Sequence, residues 1–277
     1  MQRARGLIER RRPTRTGLEE SRASENGHAE RFRGRAEDYS KNRPRYPREL
    51  LHSLENELGF SRSDVVADIG SGTGILSELL LENGNLVYCV EPNMDMRRVA
   101  EERLRRYASR LVSVDGRAES TGLKGGSIDL ITVGQALHWF DLERTRAEFA
   151  RIVRERGRVA IVYNYRRKRG TVGQAYAALV SRYEKDKASV PYARNAYVKR
   201  FLGNADFRKF VMPNSQSLDL EGLLGRLASS SYMPRRGSRE WADVEEEASK
   251  MIREHGDRGT LVLRYDTTMY VGRISLG

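Results

Sequence analysis

Short runs of Val, Ile, Leu and Ala that alternate with helix-forming stretches limit what this chain can fold into. VVADI (65–69), LVYCVE (86–91), LVSVDG (111–116), SIDLITVGQA (127–136) and GRVAIVYNY (157–165) are nearly continuous in apolar residues, as strands covered on both faces must be. ILSELLLENG (75–84, closed by Gly84), MDMRRVAEERLRRYA (94–108) and LERTRAEFARIV (142–153) have helical composition and spacing and stand between those runs. Upstream, Leu50, Leu51, Leu54 and Leu58 recur every three or four residues up to Gly59, which predicts an amphipathic helix. Strand, helix, strand with short connections requires right-handed crossovers and a parallel sheet with helices on both faces, a doubly wound α/β fold.

After the fifth run the rhythm changes. Residues 170–205 are helical in pattern and rich in Tyr, Arg and Lys, FRKFVMPN (207–214) reads as a strand, and 218–229 and 239–255 as helices. TLVLRYDTTMYVGRI (260–274) has strong β character. These features predict a helical cap, with elements between 166 and 258, on a single domain spanning 31–277; there are no internal repeats. Residues 1–30 mix Arg with Glu, Ser and Gly without an apolar period and read as a basic, disordered tail.

At 277 residues the chain can bury a substantial core. No apolar run is long enough to cross a bilayer and the N-terminus lacks a signal-like apolar segment, so a soluble, cytoplasmic protein is expected. The single cysteine, Cys89, excludes an internal disulfide and a cysteine zinc cluster, and in LVYCV it reads as a small buried hydrophobe. No metal site is expected, and the sequence sets no oligomeric state. The formal net charge of +12 favours anionic partners: small anions, nucleic acid or acidic surfaces.

In a doubly wound sheet the ligand crevice opens at the carboxyl ends of the strands where the winding reverses, and the loop after VVADI lies there. Its glycines, Gly70, Gly72 and Gly74, are followed by Ile75, which departs from the G-x-G-x-x-G dinucleotide spacing, and no Gly-Lys-Ser/Thr follows. Asp68, just before the turn, would repel a pyrophosphate and attract an ammonium group. Glu91, seventeen residues past Gly74 at the end of the second strand, can accept both hydroxyls of an unphosphorylated ribose. Glycine allows positive φ and close backbone approach at such a turn. The combination points to a cation-bearing nucleoside, and an NAD-dependent oxidoreductase is disfavoured.

Asp68 to Gly74 match the first motif, (D/E)-x-G-x-G-x-G, of the class I S-adenosylmethionine-dependent methyltransferases, and Glu91 matches the family's second acidic position. The sequence resembles that family, and GRAEDYSKNRPRYP (34–47), GQALHWFD (134–141), SSSYMP (229–234) and YDTTMYVGR are similar to its type 11 branch, which includes trans-aconitate and related small-molecule methyltransferases. The resemblance implies a Rossmann-like mixed sheet of seven strands with the last one antiparallel, and S-adenosylmethionine as cofactor. It also implies that Asp68 and the loop Gly70, Ser71, Gly72, Thr73 and Gly74 hold the methionine part. Glu91, with Pro92 and Asn93, would hold the ribose. Gly116, Arg117, Ala118 and Glu119 would flank the adenine, with Arg117 standing where an acidic residue is common and the backbone of Ala118 supplying the polar contact. Gln135 completes the crevice. In the branch, the segment with Tyr39 and Arg43 folds over the cofactor, so Arg43 can pair with the methionine carboxylate and Tyr39 can close over the sulfonium.

His138 follows the fourth strand and is the candidate base or orienter, with Trp139 as a pocket wall and Tyr232 as a roof over the acceptor. Each has a plain alternative in packing; Asn164 and Tyr165 read as the strand's end, and His28, His52 and His255 are assigned no function. The expected reaction is methyl transfer to a small-molecule acceptor that is anionic, a carboxylate, or bears a hydroxyl. A nucleic-acid methyltransferase using the basic surface is the alternative; GQALHWF lacks the prolines of the Asn/Asp-Pro-Pro-Tyr/Phe segment that binds a flipped base.

Overall fold

A computed structural model describes residues 36–183, 195–202, 207–230 and 232–274; the basic tail, with His28, lies outside them. The strands are β1 (Val65–Ile69), β2 (Leu86–Val90), β3 (Leu111–Val114), β4 (Ile128–Gly134), β5 (Val153–Arg166), β6 (Phe207–Leu218) and β7 (Leu261–Gly272). The helices are α1 (Ala36–Asn42), α2 (Glu49–Leu58), α3 (Ile75–Asn83), α4 (Met94–Arg103), α5 (Leu142–Ile152), α6 (Thr171–Ser181), α7 (Asn195–Leu202), α8 (Leu220–Ala228) and α9 (Arg239–His255).

All seven strands form one sheet in the order β3-β2-β1-β4-β5-β7-β6. The first five are parallel, and β7 runs antiparallel to both β5 and β6. The winding reverses between β1 and β4, which puts the crevice above the loop after β1.

Strict alternation of side chains sends successive residues to opposite faces. Ala67, Ile69, Tyr88 and Val90 pack with α5 and α7 on one face, while Val66, Val87 and Cys89 pack with α2 and α3 on the other. Burial pushes the Cys89 thiol up to about 12, so it stays protonated and serves as core. Helix α2 buries Leu50, Leu51 and Leu54 and stops at Gly59, whose φ of 70° presents its N–H to the last turn.

A third cluster joins α6, α8 and α9 to the far ends of β6 and β7 through Tyr176, Leu227, Trp241 and Tyr265, where a helical cap was expected. Helix α7 departs from that expectation. Its Val198, Phe201 and Leu202 sink into the sheet's own core, with Phe201 edge-on to Phe149 of α5 at 5.7 Å. Strand β6 also runs four residues past the expected end, because β7 pairs with it as far as Leu218 opposite Leu261. Its polar stretch PNSQS gives no apolar alternation to read; β6 lies at the sheet edge, where Pro213 is tolerated. Strand β3 ends at Val114, two residues early.

Candidate functional site

The loop after β1 is fastened to the neighbouring strand. The N–H groups of Gly70 and Ser71 both donate to the carbonyl of Val90 at the end of β2, at 2.9 and 3.2 Å. Gly70, Gly72 and Gly74 have φ of 66°, 55° and 76°, the left-handed region that side chains resist. At Gly70 a Cβ would lie 2.8 Å from the Cβ of Ala136 and 3.1 Å from the ring of Phe140, so the turn after β4 packs directly on the glycine. Arg103 of α4 donates to the carbonyl of Thr73 at 2.9 Å and pairs with Glu78. The hydroxyls of Ser71 and Thr73 are buried with no hydrogen-bond partner. Two unmet donors beside backbone free of side chains are what a polar ligand would satisfy.

Asp68 is 1% exposed. One carboxylate oxygen accepts from the Ser77 hydroxyl at 2.5 Å and the other from the Thr132 hydroxyl at 2.9 Å. The carboxylate is thus clamped between α3 and β4 rather than standing free in the crevice, and its charge acts from beneath the loop. Burial pushes it up to about 6, against the pull of those two hydroxyls. Glu91 accepts from the backbone N–H of Gly72 at 3.0 Å and of Asn93 at 2.9 Å, and burial raises its pKa too. Asn93 caps α4 by accepting from Met96 N–H at 3.1 Å, with Pro92 exposed before it.

Ala118 is buried in the tight turn between Arg117 and Ser120, and Glu119 accepts from the N–H of Asp141 at 2.9 Å, joining that turn to the start of α5. Gln135 has a φ of 58° although it carries a side chain, and its N–H donates to Val162 at 2.9 Å. Such strain persists only where the surroundings enforce it, and it clusters at ligand sites. His138 and Trp139 lie in a short 3-10 turn, their rings 4.7 Å apart, with Tyr163 of β5 6.4 Å from the His138 ring.

The segment before α2 reaches over these strand ends. The carbonyl of Pro44 accepts from Asn164 at 3.4 Å, and Asn164 in turn accepts from Asn214 at 3.3 Å and Thr267 at 2.5 Å. Asn164 and Tyr165 lie within β5, which continues to Arg166. Arg43 stacks on Tyr39 at 4.7 Å and donates to the Ser229 carbonyl at 2.8 Å, which places it against α8. Tyr232, 37% exposed, sits beyond the same helix. Sequence reasoning missed Tyr46, Ser77 and Thr132. The Tyr46 hydroxyl lies only 2.8 Å from where a Cβ on Gly134 would be, and Asp68, Tyr39 and Tyr163 all bear on it. Gly134 was the available signal, a glycine at the tip of a strand where another group approaches closely.

Among the described residues, no group of three His, Cys, Asp or Glu is arranged to hold a metal ion, and no helix is long and apolar enough to cross a membrane.

Residues 67–161 match the type 11 family model, described as a methyltransferase domain. An uncharacterized methyltransferase of Mycobacterium tuberculosis is 37% identical over 131 residues, which cover 47% of this chain and 51% of its own. The chain thus spans about half the length of that relative. An uncharacterized methyltransferase-like protein of Schizosaccharomyces pombe is 23% identical over 223 residues, 80% of this chain and 86% of its own. Among solved structures, a candidate type II methyltransferase from Anaeromyxobacter dehalogenans aligns with a TM-score of 0.63 at 26% identity, over 84% of this chain and 98% of that one. The YcgJ protein of Bacillus subtilis, with a TM-score of 0.53 and 16% identity over 83% of this chain and 100% of that one, shares the fold. Residues 67–161, set in the sheet order and glycine loop described above, thus match a methyltransferase domain of the type 11 family.

Proposed function

We propose that the chain transfers a methyl group from S-adenosylmethionine to the carboxylate of a small anionic molecule. The observation that carries the cofactor part of this reading is the pair of unpartnered hydroxyls, Ser71 and Thr73, in a loop of three left-handed glycines with Glu91 across from it, and the net charge of +12 favours an anionic acceptor. When bound, the cofactor supplies an activated methyl on a positively charged sulfur.

The chain's own residues bind and align. Glu91 already holds Gly72 and Asn93 in place, and its remaining lone pairs accept the two ribose hydroxyls. Ala118 and Glu119 flank the base, and Asp68 offsets the ligand's positive charge from below the loop. Tyr46, Gln135 and Trp139 line the far side and exclude water. An acceptor carboxylate is already ionised and needs no base from this chain; the product would be its methyl ester. Holding the acceptor oxygen against the bound methyl donor would supply much of the rate.

Since no proton leaves the acceptor, His138 acts as a wall and spacer beside Trp139. His138→Asn is expected to keep kcat within about threefold and its pH profile unchanged; a fall of about 100-fold or more would mark His138 as a base and the acceptor as a hydroxyl. Binding is tested by calorimetry with S-adenosylhomocysteine, and transfer by labelled methyl across organic acids, phenols, amines and total RNA. Absence of S-adenosylhomocysteine binding overturns the cofactor assignment; labelling of RNA alone overturns the small acceptor.

Asp68 gives a pH signature. Its native pKa of about 6 exceeds the unfolded value of about 4, so between those values the native state holds the proton that the unfolded chain has lost. The contribution of Asp68 to stability is therefore present at low pH and lost as pH rises through about 6. Binding of an ammonium-bearing ligand requires the ionised form, so affinity is expected to rise over the same interval. Titrations from about pH 5 to 7.5 on wild type and Asp68→Asn check this: the rise in affinity disappears in the variant.

A further inference from the structure

Three arginines meet between the crevice and the cap with no carboxylate among them. Arg43 comes from the segment before α2, Arg166 from the end of β5, and Arg226 from α8, where it is 6% exposed. Arg43 and Arg226 share the hydroxyl of Ser230, at 3.5 and 3.3 Å. Arg166 lies over the ring of Tyr176 at 4.1 Å, and Tyr176, fully buried, is under the influence of both Arg166 and Arg226.

The Nε atoms of all three arginines and the hydroxyl of Tyr176 are buried without a hydrogen-bond partner. The nearby acids are engaged elsewhere: Asp266 pairs with Arg167, and Asp38 with Arg236. Among the described residues none of the three arginines makes an ion pair, and the groups that bear on Arg43 and Arg226 are chiefly tyrosines and each other's neighbours. Burial and the charge of Arg226 lower the pKa of Arg43, whereas Tyr176, Tyr232 and a hydrogen bond to Tyr265 raise that of Arg226 against the cost of burial.

Arg226 is buried and Arg43 and Arg166 are half-buried, and leaving guanidiniums at that depth without a counter-charge is costly unless a ligand completes the site. We infer that Arg43, Arg166, Arg226 and Tyr176 form a subsite for an anionic group of the methyl acceptor, one with at least two negative oxygens to engage the forked guanidiniums. Tyr46, three residues after Arg43, connects this cluster to Asp68 and the crevice. The inference rests on the methyl-transfer reading of that crevice, and it assigns Arg43 to the acceptor instead of the methionine carboxylate. Carboxylates and phosphates share the required chemistry.

The test uses the full chain saturated with S-adenosylhomocysteine and follows Tm with malonate, citrate, inorganic phosphate or pyrophosphate against chloride at equal ionic strength. A saturable rise of about 5 °C is expected from at least one of them. Protection by malonate or citrate alone identifies a carboxylate acceptor, and protection by phosphate or pyrophosphate alone a phosphorylated one. Arg226→Met is expected to abolish the rise while changing S-adenosylhomocysteine affinity less than about threefold; Arg166→Gln gives the same readout if the first variant does not fold. No saturable effect, or one that survives in the variants, overturns the subsite. A drop of about tenfold or more in S-adenosylhomocysteine affinity for Arg43→Gln, with the anion response intact, returns Arg43 to the cofactor. Failure of wild type to bind S-adenosylhomocysteine at all sinks the reading of the crevice instead.

Discussion

Glu91→Ala is expected to weaken S-adenosylhomocysteine binding by roughly 10- to 100-fold, about 1.5–3 kcal/mol, the range for a lost hydrogen bond to a charged group. The substitution removes two things together. The proposed acceptor of the ribose hydroxyls disappears, and the N–H groups of Gly72 and Asn93 lose the oxygens they now donate to at 3.0 and 2.9 Å. Glu91→Gln separates them, since one amide oxygen can still accept from a single N–H; its affinity should fall between those of wild type and the alanine variant. Calorimetry reads both. Affinity within twofold of wild type in Glu91→Ala would show that the ribose lies elsewhere.

Gly70→Ala should damage fold and site alike. A left-handed φ costs a residue with Cβ about 1–2 kcal/mol, and forcing a methyl into a filled space adds about 1–3 kcal/mol. The added carbon would lie 2.8 Å from the Cβ of Ala136, a methyl fixed directly to the turn's backbone that can retreat only if that turn moves. The turn carries His138 and Trp139, so S-adenosylhomocysteine binding and the acceptor side should suffer together. Gly72→Ala is the contrast: its φ is 55° but no atom lies within 4 Å of the added Cβ, so only the backbone strain remains. Urea unfolding of the two variants should rank Gly70→Ala as clearly the less stable.

The sheet and the glycine loop were legible because their signals are local. Runs such as VVADI are buried on both faces and must be apolar throughout, and a loop that needs left-handed turns must spend glycines on them. Contacts between distant segments were not legible. Tyr46 belongs to the site because it meets Gly134, and Ser77 and Thr132 because they close on Asp68 from a helix and a strand. Nothing in YPREL, ILSELL or DLITV distinguishes those residues from surface or core. The arginine cluster gathers residues 43, 166 and 226, and only the fold reveals that their charges lack partners. The length of β6 was hidden for a related reason, since its pairing with β7 and not its own alternation keeps PNSQS extended.

The position of β7 between β5 and β6 has a consequence for the order of assembly. Strand β6 precedes β7 in the chain yet pairs with no other strand, so β6 has no ladder partner until β7 has been synthesised. Thr267 of β7 also anchors Asn164, which ties down Pro44. A nascent chain halted before residue 261 would therefore lack the Thr267 anchor on Asn164 beneath Pro44, and that corner of the crevice would be completed only after β7 slides into the gap.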